Sequence, residues 1–202
     1  MIGDPFLPPG LDTPALVVDL DIAEANTRRL IEYLAPRGIA LRPHAKTHKS
    51  IGIARGQLAA AASPVTEIRS GTYVLGDRQQ ATLGAIGFDE VALHVAATVV
   101  STAVPGQVIF DAGAKTLTKD RAPYLTGHGL LPAYPDAVIE RVNDYHGIVR
   151  IPVGTPAPHL GEVVAIMPNH VCPVVDLFDV FTVVRGERVV GTWPVDARGR
   201  RN

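Results

Sequence analysis

One short segment concentrates the side chains that could do chemistry. Residues 42–49, RPHAKTHK, carry five potentially basic side chains in eight positions. The segment follows the strand-like residues 39–41, so Lys46 is expected near the end of a strand, where a side chain can point into a pocket. Neighbouring cations lower the pKa of a lysine and leave its amine nucleophilic, as a Schiff-base lysine requires. The alternative is a solvated basic loop.

Two other segments, taken together with the first, resemble a known enzyme family. Residues 12–21, DTPALVVDLD, precede the basic segment, and residues 168–173, PNHVCP, lie near the C-terminus. In this order the three blocks resemble the pyridoxal-phosphate family of D-threonine aldolase and D-serine dehydratase, whose fold resembles that of alanine racemase. The resemblance implies that Lys46 binds the cofactor and that residues 168–173 are the family's metal motif.

The resemblance further implies a lyase that acts on small D-3-hydroxy amino acids. Pyridoxal phosphate is expected to act as the electron sink. Lys46, once the substrate amine has displaced it, is the expected general base, and a divalent metal on the β-hydroxyl would assist as a Lewis acid. Dehydration with deamination and cleavage of the Cα–Cβ bond are both natural outcomes, so the sequence leaves the reaction and the substrate open.

The metal is expected to bind His170 and Cys172. Residues i and i+2 share one face of an extended chain, so both side chains can reach one ion. Imidazole and thiolate ligands suit Zn²⁺ among the divalent metals. In the resembled family, a cysteine ligand in place of a carboxylate favours dehydratase chemistry. Without the resemblance, Cys172 would be interpreted as a small buried residue and His170 as a loop residue.

Four other features near these residues have two interpretations each. His44 and His48 either tune the basic segment or are solvated. Tyr73 either faces the cofactor or packs as a sheet residue. Residues 144–147 either border the substrate or end a helix.

The first part of the chain is expected to position the basic segment. The apolar residues 14–19 predict a buried parallel strand, and Asp21 is predicted to cap a helix over residues 22–35. A second strand over residues 39–43 and a second helix over residues 49–62 complete a βαβα order. This order is typical of the first two units of a (β/α)8 barrel, where chemistry lies at the strand ends.

From residue 63 onward the sequence predicts mostly strands, with one helix near residues 135–145. The strand-like runs lie at residues 65–69, 71–75, 91–100, 107–111, 163–167, 181–185 and 188–193. The predicted fold class is therefore α/β plus all-β. A remnant of a pyridoxal-phosphate-binding (β/α)8 barrel, residues 1–62, precedes an antiparallel β domain, residues 63–202. A complete barrel takes roughly 250 residues, so most of it is missing.

Composition restricts the partners and the compartment. The 202 residues carry a net charge of −1, which gives no electrostatic reason to expect nucleic acid or a membrane surface as a partner. The sequence shows no signal peptide and no run of membrane-spanning length. One cysteine excludes an intrachain disulfide. These features predict a cytoplasmic protein, and the resemblance implies a homodimer.

Two functions from different classes therefore remain. The first is a pyridoxal-phosphate and metal dependent lyase, favoured by the residue types at Lys46, His170 and Cys172. The second is an internally deleted, inactive relative that serves as a β-domain scaffold or assembly module. The missing barrel favours the second, because the resemblance places the loops that hold the cofactor phosphate in that part.

Overall fold

A mixed eight-stranded sheet organises the chain. The computed structural model describes residues 4–39, 41, 43–60 and 70–200, and only the main chain of residues 58–60. The strands are β1 (Ala15–Asp19), β2 (Leu93–Ser101), β3 (Gln107–Phe110), β4 (Val138–Val142), β5 (Gly147–Arg150), β6 (Val163–Ile166), β7 (Val180–Arg185) and β8 (Arg188–Pro194). The helices are α1 (Leu20–Leu34), α2 (Ile51–Ala60), α3 (Arg78–Thr82), α4 (Ala114–Leu117) and α5 (Val171–Val175), with 3₁₀ turns at Ala35–Arg37, Thr72–Val74 and Phe88–Glu90. None of the described helices is both long and apolar enough to cross a membrane.

The first strand lies inside the sheet formed by the later ones. The strand order is β4-β5-β3-β2-β1-β7-β8, and β6 also pairs with β2. β1 runs antiparallel to β2 and parallel to β7. The predicted barrel remnant is not confirmed, because the partners of β1 are strands of the C-terminal region. The predicted division of the chain after residue 62 stays a prediction.

β1 is buried on both faces of the sheet, and the predicted strand is confirmed. Leu16 and Val18 belong to the main hydrophobic core. Val17 points to the opposite face and packs with Ala96 and Val184. A strand covered on both faces needs apolar residues at every position rather than at alternate ones. This double burial accounts for the uninterrupted apolar run in the sequence.

Helix α1 begins two residues earlier than predicted, because Asp19 and not Asp21 is its N-cap. The carboxylate of Asp19 accepts hydrogen bonds from the backbone N–H groups of Asp21 at 2.9 Å and Ile22 at 3.2 Å. Asp21 lies in the first turn instead, where a negative charge complements the helix dipole. It also pairs with Arg185 of β7 at 2.6 Å, which fastens the start of α1 to the sheet.

Most of the other predicted elements are present. The second helix is confirmed as α2, and the predicted strands that match β2, β3, β6, β7 and β8 are confirmed. The strand predicted at residues 71–75 is wrong, since a 3₁₀ turn occupies Thr72–Val74. The strand predicted at residues 65–69, and Ala40 and Arg42 of the second predicted strand, lie outside the described residues.

The helix predicted near residues 135–145 is wrong, because the chain forms the β4–β5 hairpin there. A β-bulge between Ile139 and Arg141 shifts the register of β4. As a result Ile139 and Val142 are both buried although they lie three positions apart. That spacing imitates one face of a helix, since a bulge interrupts the two-residue alternation of a strand. The predicted helix end at residues 144–147 is the turn into β5.

Gly147 in this hairpin packs against a buried ring. A Cβ atom at Gly147 would lie 2.1 Å from Cε2 of Phe110 and 2.8 Å from the carbonyl oxygen of Ala112. Phe110 is fully buried and has no free space to move into. We predict that Gly147→Ala lowers the free energy of unfolding by about 1–3 kcal/mol, the usual cost of overpacking, measured by urea unfolding.

Gly56→Ala is the matched control for this prediction. A Cβ atom at Gly56, in α2, meets nothing within 4 Å. Alanine is also a better helix former than glycine, so this variant should gain up to about 1 kcal/mol. Equal destabilisation by the two substitutions would contradict the packing argument.

Candidate functional site

One open cavity brings together the three predicted site residues. It has a volume of about 860 Å³ and is lined by Lys46, His170 and Cys172. Lys46 comes from the segment that precedes α2, whereas His170 and Cys172 lie at the start of α5. Asp120 and Asp176 also line the cavity. The volume lies within the range of about 300–1,000 Å³ that small-molecule sites occupy.

We call residues 44–49 the lysine loop. Lys46 is exposed at its tip, and its ammonium group has no hydrogen-bond or ion-pair partner among the described residues. Lys49, in contrast, forms an ion pair with Asp176. Of these two lysines, only Lys46 therefore has an amine that no other described residue engages.

The backbone of the lysine loop is held by local hydrogen bonds. The N–H of Lys46 donates to Nδ1 of His44 at 3.1 Å. The N–H of His44 donates to the carbonyl of Ser70 at 3.2 Å, and the N–H of Lys49 donates to the carbonyl of Ala45 at 2.8 Å. His44 thus orients the peptide on which Lys46 is carried.

His48 is a buried structural residue, so both interpretations made from the sequence are wrong for it. Its Nδ1 accepts a hydrogen bond from the N–H of Ser50 at 3.2 Å, which leaves Nε2 to donate to Oε1 of Gln57 at 2.9 Å. Gln57 in turn donates to the hydroxyl of Tyr73 at 2.8 Å. Burial lowers the pKa of His48, so its imidazole is neutral and is not one of the cations near Lys46.

Tyr73 closes this network from a 3₁₀ turn rather than from a strand. The residue is buried, and burial raises the pKa of its phenol. Its hydroxyl is engaged by Gln57, so the predicted role as a sheet residue is wrong. Tyr73 instead ties the turn at Thr72–Val74 to α2, directly behind the lysine loop.

A buried carboxylate holds His170 in place. Oδ2 of Asp77 lies 3.1 Å from Nδ1 of His170 and also accepts the N–H of Val171 at 3.2 Å. Its other oxygen caps α3 by accepting the N–H of Gln80 at 3.0 Å. The hydrogen bond to Asp77, followed by one to Cys172, raises the pKa of His170 to about 10.

Cys172 lies among hydroxyl groups next to His170. Its Sγ is 3.4 Å from Oγ1 of Thr47 and 3.8 Å from Oγ1 of Thr72. Burial by itself raises the pKa of the thiol, but hydrogen bonds with His170 and Thr47 outweigh this effect and the pKa is lowered. A thiol of this kind loses its proton readily, which is the form that binds metal.

The local backbone differs from the extended chain predicted for this pair. His170 is extended, with φ −136° and ψ 118°, but it is the residue before α5, and Cys172 lies in the first turn of that helix. The argument from the two-residue repeat of a strand is therefore wrong. The two side chains meet because Asp77 turns the imidazole towards the sulfur, a contact between distant parts of the chain.

Asp77 and Asp176 did not emerge from the sequence as site residues. Asp77 precedes the run RQQAT, so its role as a helix N-cap has a local signal. Its contact with His170 has no local signal in the sequence, because 93 residues separate Asp77 and His170. The same is true of the pair between Lys49 and Asp176, 127 residues apart.

Comparisons with known proteins place the chain among relatives of the predicted family. Residues 92–184 match the family model described as "Putative serine dehydratase domain". An uncharacterised protein of Mycobacterium tuberculosis is 38% identical over 133 residues, which cover 64% of this chain and 100% of that protein. D-threonine aldolase of Arthrobacter sp is 35% identical over 154 residues, which cover 73% of this chain and 38% of the enzyme.

A solved structure shares the fold. D-threo-3-hydroxyaspartate dehydratase from Delftia sp. HT23 superposes with a TM-score of 0.80 and 19% identity, over 92% of this chain and 97% of that chain. The predicted resemblance is confirmed by the family model, by the relatives and by this fold. The chain belongs to the D-threonine aldolase and D-serine dehydratase family.

Proposed function

We propose that this chain is a pyridoxal-phosphate and metal dependent lyase that acts on D-3-hydroxy amino acids. The observation that carries the proposal is the shared cavity of Lys46, His170 and Cys172. An exposed amine and a histidine–cysteine pair in one cavity are the two sets of groups that such a lyase needs.

The cavity fits the cofactor through Lys46. The exposed amine of Lys46 would hold the cofactor through its aldehyde. When bound, pyridoxal phosphate would supply an electron sink for carbanion chemistry at the substrate's α-carbon. The amine of Lys46 lines the same cavity and would be the base that takes the proton from Cα.

His170 and Cys172 fit a metal of the zinc type. Asp77 holds Nδ1 of His170, as the outer carboxylate does in many carboxylate–histidine metal sites. No group of three or more histidine, cysteine or acidic side chains in the described part of the chain is placed to hold an ion. Two protein ligands leave positions for water and for the substrate's hydroxyl, which the metal would polarise as a Lewis acid.

Within the family, we propose dehydratase chemistry with a small substrate such as D-serine. Thiolate ligation by Cys172 favours zinc, whereas a carboxylate would favour a harder ion. The products decide between the two reactions. Dehydration of D-serine releases a 2-oxo acid and ammonia, whereas aldol cleavage of D-threonine releases glycine and an aldehyde.

An inactive scaffold is the second candidate, and the length comparison favours it. The chain spans 38% of the Arthrobacter enzyme. Loops that hold the cofactor phosphate in the family were not found in the sequence. A protein that binds zinc but not pyridoxal phosphate would support this candidate over the lyase.

Covalent cofactor binding is predicted at Lys46. Reconstitution with pyridoxal phosphate should give an absorbance band in the visible or near ultraviolet, because the amine of Lys46 is exposed in the cavity. Borohydride reduction followed by peptide mass mapping should then place the label on Lys46 among the four lysines of the chain. Lys46→Ala should abolish both signals.

Lys119→Ala is the control for this prediction, since Lys119 is also an exposed lysine but does not line the cavity. It should leave the band unchanged. A band that survives in Lys46→Ala, or a label on Lys49, would contradict the assignment.

Zinc binding is predicted at His170 and Cys172, with an affinity that rises with pH. His170 is protonated in the metal-free protein because its pKa is raised to about 10, and the metal must displace that proton. Each displaced proton changes the dissociation constant about tenfold per pH unit, so binding weakens as the pH falls. Titration calorimetry at several pH values measures the affinity for zinc and its dependence on pH.

His170→Ala and Cys172→Ser should each lose zinc binding. Asp77→Asn keeps an acceptor for the α3 cap but removes the negative charge beside His170. It should weaken zinc binding by about 10–100-fold. His159→Ala is the control, because that exposed histidine does not line the cavity and pairs with Glu162 instead. If His170→Ala and Cys172→Ser bind zinc as the wild type does, the metal site lies elsewhere.

We also propose that the chain forms a homodimer. Strand β8 lies at an edge of the sheet, where Val189 and Val190 are 52% and 47% exposed. An exposed apolar edge strand is a surface for pairing with another chain. Sedimentation at micromolar concentration should show a dimer that Val190→Lys weakens and Val153→Lys, in an exposed turn, does not. A wild-type monomer would contradict this prediction.

A further inference from the structure

The lysine loop and helix α5 meet through two side-chain contacts with matched spacing. Oγ1 of Thr47 lies 3.4 Å from Sγ of Cys172. Lys49 forms an ion pair with Asp176. The contacting residues are two positions apart on the loop. They are four positions apart along α5 and its C-cap Asp176, which is about one helical turn. The helix that begins at the proposed metal ligands therefore also holds Thr47 and Lys49, which follow Lys46 in the loop.

Both contacts are sheltered from solvent. Thr47 is 2% exposed, and the side chains of Lys49 and Asp176 are 11% and 24% exposed. Salt screens an ion pair at this depth much less than one at the surface. Removal of one partner would leave the other charge partly desolvated. Lys49 also has a φ of +49°, a backbone conformation that a residue with a side chain rarely adopts.

Gly71 closes the lysine loop from the other side. A Cβ atom at Gly71 would lie 2.6 Å from Oγ1 of Thr47 and 3.1 Å from the carbonyl oxygen of His44. Thr47 is therefore confined between Gly71 and Cys172. A displacement of Cys172 therefore either moves Thr47 or breaks the contact between the two side chains.

We propose that these contacts couple the two halves of the site, so that metal bound at His170 and Cys172 strengthens the binding of pyridoxal phosphate at Lys46. The inference rests on the proposed function and adds Thr47, Lys49 and Asp176 as positioning residues. A metal that fixes Cys172 and the start of α5 also restrains Thr47 and Lys49, which follow Lys46 in the lysine loop. Less conformational freedom then remains to be lost when the cofactor binds.

The coupling must be reciprocal. If zinc changes the affinity for the cofactor by some factor, the cofactor changes the affinity for zinc by the same factor. This equality checks the measurements, because two ratios that disagree would show that the titrations do not report equilibrium binding. It also provides two independent measurements of one quantity.

The test measures four dissociation constants on the full chain. Pyridoxal phosphate is titrated by absorbance with and without saturating zinc chloride, and zinc chloride is titrated by calorimetry with and without pyridoxal phosphate. The two ratios should agree and should be about 5-fold or more in the wild type, the lower end of typical allosteric coupling. Both readouts are binding constants and do not depend on turnover.

Variants of the positioning residues should reduce the ratio towards one. Lys49→Met and Asp176→Asn each remove the ion pair, and the exchanged variant Lys49→Asp with Asp176→Lys should restore part of the coupling. Thr47→Val removes the hydroxyl with little change of shape, and Thr47→Ser, which keeps the hydroxyl, should retain the coupling. Thermal unfolding shows whether each variant is folded. If Lys49→Met and Asp176→Asn are not folded, the comparison of Thr47→Val with Thr47→Ser provides the test.

Lys115→Met and Asp144→Asn are the matched controls. These residues form an exposed lysine–aspartate pair with Nζ and Oδ2 3.2 Å apart, away from the cavity. They should leave the ratio unchanged. The inference is overturned if the wild type binds zinc and cofactor with a ratio of one, or if Thr47→Val keeps the full ratio. Failure of the wild type to bind either ligand would instead defeat the proposed function, and the inference with it.

Discussion

The insertion of β1 between β2 and β7 is the constraint on which the rest of the structure depends. It pairs the first strand of the chain with strands that lie far away in sequence, antiparallel on one side and parallel on the other. Because β1 runs directly into α1, the sheet also determines where that helix lies. Asn26 of α1 is buried, and its amide donates to the carbonyls of Val74 and Glu90 at 3.3 and 2.9 Å. The turn that carries Thr72 and Tyr73 is thereby placed behind the lysine loop.

Some side chains of the basic segment have structural roles, whereas that of Lys46 is available for chemistry. His48 is buried and neutral, and it satisfies both ring nitrogens within the network that includes Gln57 and Tyr73. A buried polar group without partners costs about 1–3 kcal/mol, so such a network favours one arrangement of the loop over others. Lys49 is bound to Asp176. Only Lys46, among the lysines of this segment, projects an amine into the cavity without a described partner.

A line of polar contacts joins the two parts of the site. It runs from the carboxylate of Asp77 to His170, from His170 to Cys172, and from Cys172 to Thr47 next to Lys46. Asp77 is almost completely buried, so the line starts in the interior and ends at the cavity. Lys46 and the pair of His170 and Cys172 are therefore parts of one arrangement, although the chain spans 38% of the Arthrobacter enzyme.

By itself, the sequence determined the family, the apolar strands, α1 and α2, and the residue types at Lys46, His170 and Cys172. These features have local causes: apolar runs, helix caps, turn residues and short motifs. Where local patterns misled, a local irregularity was responsible, such as the bulge in β4 that imitated a helical face. Tertiary structure alone decided that β1 joins the later strands and that Asp77 turns His170 towards Cys172. It also decided that α5 contacts the lysine loop, because such contacts depend on the packing of segments that no local pattern relates.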